Sequence, residues 1–180
     1  TSGRSEIIGI TNAIHVPTWV DDRMIKAYEV GKDLLNTHNE IKKELIEFIE
    51  DRTGIKLSAD KLLIGFSRRA APYKRSDFIF RDLDIIEPLL KSGEVQIVFS
   101  GKAHPLDDGG KEIVSNLNAM MKKYPNSVVF LQNYDMNIGR MLTRGADIWL
   151  NNPRRPLEAS GTSGMKAAMN GVLNCSILDG

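Results

Sequence analysis

Five short runs dominated by Val, Ile, Leu and Phe, set between longer amphipathic stretches, constrain this chain more than any other feature. They are Leu62–Ser67 (LLIGFS), Val95–Ser100 (VQIVFS), Ser127–Gln132 (SVVFLQ), Asp147–Asn151 (DIWLN) and Val172–Leu178 (VLNCSIL). A strand covered on both faces has no solvent face to keep polar. It therefore reads as a nearly continuous apolar run, and such runs alternating with helices are βα units on a parallel sheet. Helices are expected between them near Ser76–Leu90, Gly110–Tyr124, Ile138–Arg144 and Ser163–Asn170, with Gly93, Pro125, Gly145 and Gly171 marking their ends. The expected fold class is α/β, a Rossmann-like three-layer αβα domain with a parallel sheet over residues 61–180.

Residues 1–60 read differently. A polar lead (TSGRS) passes through IIGITNAIHVPTWV into a charged helix near Asn39–Arg52. Ile41, Leu45, Phe48 and Ile49 recur at i, i+4, i+7 and i+8, a stripe that covers a core, and the Glu- and Lys-rich remainder reads as solvated. This part is taken as an interdomain segment and amphipathic helix leading into the domain. No internal repeat or low-complexity tract is visible. The last apolar run is followed only by Asp179-Gly180, with no closing helix, so the domain is expected to be truncated at its C-terminus.

Composition narrows the function classes. A chain of 180 residues buries roughly two-thirds of its unfolded surface, and 42% hydrophobic with 26% charged residues describes a packed core. A formal net charge of +1 provides no global field for nucleic acid or an anionic membrane, so any anion site must be local. The single cysteine, Cys175, lies in a predicted strand and is expected to be buried packing. Its lack of a disulfide partner points to a reducing compartment and hence the cytoplasm. No Cys and His spacing suits zinc, and no run approaches the roughly 18 apolar residues of a membrane span. His15, His38 and His104 form no visible triad with a serine, although His104 follows a strand and is placed near the cleft. Met120 and Met121 read as helix-face residues.

In open parallel sheets ligands bind beyond the carboxyl ends of the strands. After the first run comes Arg68-Arg69-Ala70-Ala71-Pro72-Tyr73-Lys74-Arg75, four cations in eight residues, which reads as an anion clamp or, taken alone, as a solvated basic loop. After the fourth run, Asn152 to Lys166 (NPRRPLEASGTSGMK) leads into a helix through small residues whose backbone can approach a ligand closely. Neither the Walker order nor G-x-G-x-x-G is present, which disfavours nucleotide triphosphates. Lys166 is expected in the first turn of that helix, where the dipole and neighbouring cations favour its free amine and Schiff-base chemistry. Setting aside Arg68, Arg69, Lys74, Arg75, Arg154, Arg155 and Lys166 leaves an acidic remainder, so these loops would focus small anions such as phosphate.

These residues carry a resemblance. ADIWLNNPRRPLEASGTSGMKAAMNGVLNCSILDG, with IGFSRRAAPYKR, GKAHP, FLQNYDMNIGR and ITNAIHVPTW, resembles the α-glucan (glycogen, starch and maltodextrin) phosphorylases, particularly the shorter bacterial and archaeal type. The resemblance implies the C-terminal half of a GT-B glycosyltransferase fold and transfer of a terminal glucosyl unit from an α-1,4-glucan to inorganic phosphate. The product would be α-glucose 1-phosphate and the cofactor pyridoxal 5'-phosphate. It places the Schiff base on Lys166, the cofactor phosphate on Arg68 and the amides of Thr162 and Ser163, and the substrate phosphate on Arg69 and Lys74. Tyr134 and Trp19 would pack on the cofactor ring, Asn12, Glu158, Ser160 and Gly161 would bind the sugar, and Tyr73 is grouped with these substrate residues.

Some positions depart from the family pattern. Ala71 and Pro72 stand where the animal enzymes have His-Glu, and Asp135 follows Tyr134 where they have arginine, so neither site is given a catalytic role. The stretch between Trp19 and the amphipathic helix is shorter than in most relatives. The N-terminal GT-B domain, with its glucan contacts, is expected to be missing, leaving no turnover from this chain alone. A homo-oligomer of the full-length enzyme stays open. Two alternatives are a nucleotide-sugar-dependent glycogen or starch synthase domain on the same architecture and a non-catalytic carbohydrate-sensing or scaffold module.

Overall fold

Each of the five apolar runs forms a strand. The computed structural model describes residues 8–179, so the polar lead TSGRS with Glu6 and Ile7, and Gly180, lie outside the described residues. The strands are β1 (Leu62–Ser67), β2 (Val95–Ser100), β3 (Val128–Leu131), β4 (Ile148–Asn151) and β5 (Leu173–Ser176). They pair in the order β3-β2-β1-β4-β5, all parallel, with Leu62 opposite Val95, Ile97 opposite Val128, Ile64 opposite Ile148 and Asn151 opposite Ser176. The helices are α1 (Val16–Trp19), α2 (Asp22–Glu29), α3 (Leu34–Thr53), α4 (Leu83–Ser92), α5 (Asp108–Lys123), α6 (Met136–Gly145) and α7 (Thr162–Ala168).

The period of two along each strand sorts side chains to opposite faces and creates three layers. Leu63, Val98, Val129, Leu131 and Trp149 face a cluster closed by Leu45, Ile46 and Ile49 of α3 and Ile138 and Leu142 of α6. Phe66, Ile97, Phe99, Val128 and Phe130 face the other cluster, closed by Leu90 of α4 and Ile113 and Leu117 of α5. The Rossmann-like αβα architecture is therefore present, and α3, from the lead-in segment, is part of its core. Where α6 crosses α3, Gly145 permits the approach: a Cβ there would lie 2.7 Å from Leu45 Cβ. Met120 and Met121 pack as helix-face residues against the second cluster.

Three expectations require correction. The helix expected over Ser76–Leu90 is split into a 3-10 turn at Phe78–Phe80 and α4 from Leu83. Burial of Phe80 against Phe99, at 5.7 Å between ring centroids, sets that turn and overrides a continuous helix. Cys175 is exposed, because β5 is an edge strand bonded only to β4, and each of its four residues is exposed. The charged side of α3 is not wholly solvated, since Lys42 is 4% exposed. Its ammonium donates to Asp147 Oδ2 at 2.6 Å and to the Lys61 carbonyl at 2.7 Å, while His38 Nε2 lies 3.5 Å from Asp147 Oδ1.

Asp147 thus joins α3 to the start of β4, and it also accepts from the Leu63 amide of β1 at 2.7 Å. Burial opposes its ionisation, but the nearby His38 imidazole, the hydrogen bonds from Lys42 and Leu63 and the Lys42 charge outweigh it and hold the carboxyl below its ordinary range. A depressed folded value means the stabilisation is complete above the unfolded carboxyl pKa and is lost as pH falls through the folded one. Replacing Asp147 by Asn, or Lys42 by Met, should cost about 3 kcal/mol at pH 7 in urea unfolding, as expected for removing one partner of a buried pair. The gap between Asp147→Asn and the unmodified chain should narrow towards pH 2. A cost that does not change with pH would contradict this account.

Candidate active site

Strand order reverses at the centre of the sheet. From β1 the chain proceeds outward to β2 and β3, whereas β4 returns to the other side of β1. The loops leaving the carboxyl ends of β1 and β4 therefore flank the usual ligand position in such sheets. Both cation-bearing loops singled out from the sequence leave from these two strands.

The loops are tied together by their own backbone. Arg75, in a left-handed conformation (φ 54°), donates from Nε to the Asn152 carbonyl at 2.7 Å and from Nη2 to the Pro153 carbonyl at 3.2 Å. Asn152 Nδ2 donates back to the Arg75 carbonyl at 3.3 Å, and the Arg154 amide donates to the Tyr73 carbonyl at 2.7 Å. Arg75 is therefore a tether, not a free cation of the anion clamp: its guanidinium is committed to carbonyls that would otherwise lack donors.

Two of the other cations converge. Arg68 donates to Asn151 Oδ1 and, from Nη2, to Glu158 Oε2 at 2.8 Å, and Lys74 Nζ pairs with the same carboxylate oxygen. The Arg68, Lys74 and Glu158 side chains are 6%, 9% and 8% exposed. Burial pulls the Arg68 guanidinium below its usual value, and Glu158 opposes that pull. Two buried cations sharing one carboxylate leave a net positive charge in a region with little water, which is the chemistry of an oxyanion site. Lys74 also lies 4.6 Å above the Tyr73 ring. Arg69 is exposed and forms no ion pair among the described residues. Arg154 and Arg155 are exposed as well.

Lys166 occupies the last turn of α7, not the first, so the helix dipole favours its ammonium instead of opposing it. What lowers its pKa is burial. The amine lies 3.4 Å from the centroid of the Trp19 ring. Tyr134 follows β3, and burial raises its phenol above the ordinary value. Gly139 makes room for that phenol, since a Cβ there would lie 2.6 Å from the Tyr134 hydroxyl. Thr162 begins α7, and the Ser163 hydroxyl accepts from Trp149 Nε1 at 3.1 Å.

Asn12, Ser160 and Gly161 line a cleft of about 640 Å³ together with Gly9, Ile10, Thr11, Ala159 and Met165. Gly161 links it to the cation cluster, because a Cβ there would lie 3.9 Å from Arg68 Nη2. Glu158 is held on the cations, and its amide donates to Asp179 Oδ2 at 3.0 Å. His104 is exposed, its Nδ1 accepting from the Leu106 amide at 3.1 Å, a local turn contact. Sequence reasoning missed Asn151, which holds Arg68 and donates to Ser176 Oγ at 2.9 Å, although its place at the end of a strand was a usable signal. It also missed Arg144 and Asn170, which grip the backbone around Trp19 and which no local pattern marks.

Comparison with known proteins follows the same residues. A family model described as "Carbohydrate phosphorylase" matches residues 20–180. The chain is 38% identical to the maltodextrin phosphorylase of Thermococcus litoralis over 96% of its own length and 25% of that protein. It is 37% identical to the glycogen phosphorylase of Aquifex aeolicus over 95% of its length and 31% of the relative. The glycogen phosphorylase of Mycobacterium tuberculosis is 34% identical over 95% of this chain and 25% of its own. The chain thus spans between a quarter and a third of the length of these relatives.

The shared carboxylate makes a prediction. Replacing Glu158 by Gln leaves Arg68 and Lys74 unneutralised, at a cost of about 2 kcal/mol. The melting temperature at low ionic strength should fall by roughly 4–8 °C. Inorganic phosphate should restore more of it in Glu158→Gln than it adds to the unmodified chain. Equal phosphate responses would show that the cations do not form an anion site.

Proposed function

The chain belongs to the carbohydrate phosphorylase family, and on that premise we propose that it is the cofactor- and phosphate-binding part of an α-glucan phosphorylase. The whole enzyme would move the terminal glucosyl unit of an α-1,4-glucan to inorganic phosphate, giving α-glucose 1-phosphate. Residues 61–180 would form the binding domain and residues 1–60 the lead-in to it. The remaining glucan contacts would come from a partner Rossmann-like domain of the same enzyme, assembled as a homo-oligomer. The cytoplasm suits the exposed Cys175 thiol, which stays reduced there, and no described helix is long and apolar enough to cross a membrane.

The residues fit pyridoxal 5'-phosphate. An amine suits covalent attachment when its charged form is disfavoured, and burial does this for Lys166. Trp19 supplies an aromatic face beside that amine. Glu158 stands between Arg68 and Lys74 as a carboxylate in the place a phosphate oxygen would take. When bound, the cofactor supplies a second phosphate group as an acid–base partner for the substrate phosphate.

Lys166 anchors the cofactor by a Schiff base in this reading. Arg68 and the amides of Thr162 and Ser163 hold the cofactor phosphate, with Trp19 and Tyr134 flanking the ring. Arg69 and Lys74 hold the substrate phosphate. Asn12, Glu158, Ser160, Gly161 and Tyr73 contact the glucosyl unit, three of them from the cleft wall. Phosphates brought close together repel, and cations fixed by burial and hydrogen bonds offset the repulsion without reorganising during reaction. The Arg75 tether keeps the two loops at one separation.

The observation that carries this reading is Lys166 held half-buried against Trp19. Treating the chain with pyridoxal 5'-phosphate, reducing with borohydride and mapping the peptides should give one dominant pyridoxyl label, on Lys166. That label should disappear in Lys166→Arg. Equal labelling across the surface lysines would overturn the reading.

A further inference from the structure

Three consecutive carbonyls, those of Thr18, Trp19 and Val20, are gripped by two side chains distant in the sequence. Arg144, in the last turn of α6, donates from Nε to the Trp19 carbonyl at 3.1 Å, and from Nη2 to the carbonyls of Val20 at 2.7 Å and Thr18 at 3.4 Å. Its Nη1 lies 3.3 Å from Asp21 Oδ2. Asn170, just beyond α7, is 0% exposed. It donates to the carbonyls of Trp19 at 3.0 Å and Lys166 at 2.7 Å, and it accepts from the Asp21 amide at 2.8 Å. One buried amide therefore bonds to the backbone of both residues whose side chains meet at 3.4 Å.

α1 is four residues long, and an isolated helical turn of that size does not hold itself together. The orientation of Trp19 must come from tertiary contacts, and Arg144 and Asn170 supply its backbone ones. We infer that Arg144 and Asn170 are positioning residues for Lys166: they fix the Thr18–Val20 backbone so that the Trp19 ring lies on the lysine amine and keeps water from it. The functional meaning rests on the reading of Lys166 as the cofactor anchor; the geometry does not. An aromatic face attracts an ammonium, while its bulk removes hydration from that ammonium. The net effect on Lys166 is downward, with burial as the cause. The charged groups around this junction include Asp21, Asp22, Arg23, Arg140 and Arg144, and Asp21 is bound to both Arg23 and Arg144.

Acetic anhydride reports on this without the cofactor. Trace acetylation of the full chain across a pH series, read by mass spectrometry, gives the pH midpoint of Lys166 reactivity. The midpoint should lie below that of a free lysine standard and move up towards it in Arg144→Lys, Asn170→Ala and Trp19→Leu. Melting curves identify the variants that fold, and Arg144→Lys, which keeps the charge but cannot span three carbonyls, carries the test if Asn170→Ala does not. A midpoint that is unchanged or lower in folded Arg144→Lys overturns the inference, whether or not Trp19→Leu moves it. Borohydride labelling with pyridoxal 5'-phosphate separately reports whether Lys166 anchors the cofactor, and its failure would leave the acetylation midpoints readable.

Discussion

The reversal of strand order between β1 and β4 determines where everything else in this molecule can act. Because the chain turns outward from β1 in one direction and arrives at β4 from the other, the loops after these two strands lie side by side at the middle of the sheet. The first carries Arg68, Arg69 and Lys74; the second carries Glu158 and leads through Gly161 to α7 and Lys166. Packing on both faces makes the strand ends rigid. Charges placed on such ends keep fixed positions, which a site that brings like-charged groups together requires.

Charge balance explains the details of that site. Burying Arg68 and Lys74 would be unfavourable without an anion, and Glu158 supplies one carboxylate for both. The neutralisation is incomplete, one carboxylate standing against two buried cations. The opposite end of the sheet shows the contrasting solution, where Lys42 and Asp147 meet one to one with His38 and the Leu63 amide beside them. The first arrangement keeps a surplus of positive charge; the second is locally balanced and serves to join α3 to the sheet.

The sheet was legible because a buried parallel strand leaves little choice of residue. Leu62–Ser67 and Val95–Ser100 are strands over the whole predicted runs, and the other three are each shorter by one to three residues. The same apolar signal misreported Cys175, since composition cannot tell an edge strand from a central one. Lys42 and Arg75 looked like solvated or ligand-facing cations. Their partners, Asp147 and the carbonyls of Asn152 and Pro153, are 105, 77 and 78 residues away in the chain. For Lys166 the lowered pKa was expected from a first-turn dipole and neighbouring cations, whereas the cause is burial. Family motifs named the candidate side chains, but the side chains that contact them or their backbone, Asn151, Arg144 and Asn170, became visible only in three dimensions.

The central claim is that the loops after β1 and β4 recognise a phosphate group, with Arg68 as its principal cation. The most direct measurement is equilibrium binding of pyridoxal 5'-phosphate and of pyridoxal to the chain, in parallel with Arg68→Met. The account predicts that the phosphate form binds tighter by roughly tenfold or more, the worth of one charge-assisted hydrogen bond, and that Arg68→Met removes most of this advantage. Equal affinities for the two compounds, or an advantage that survives intact in Arg68→Met, would contradict it.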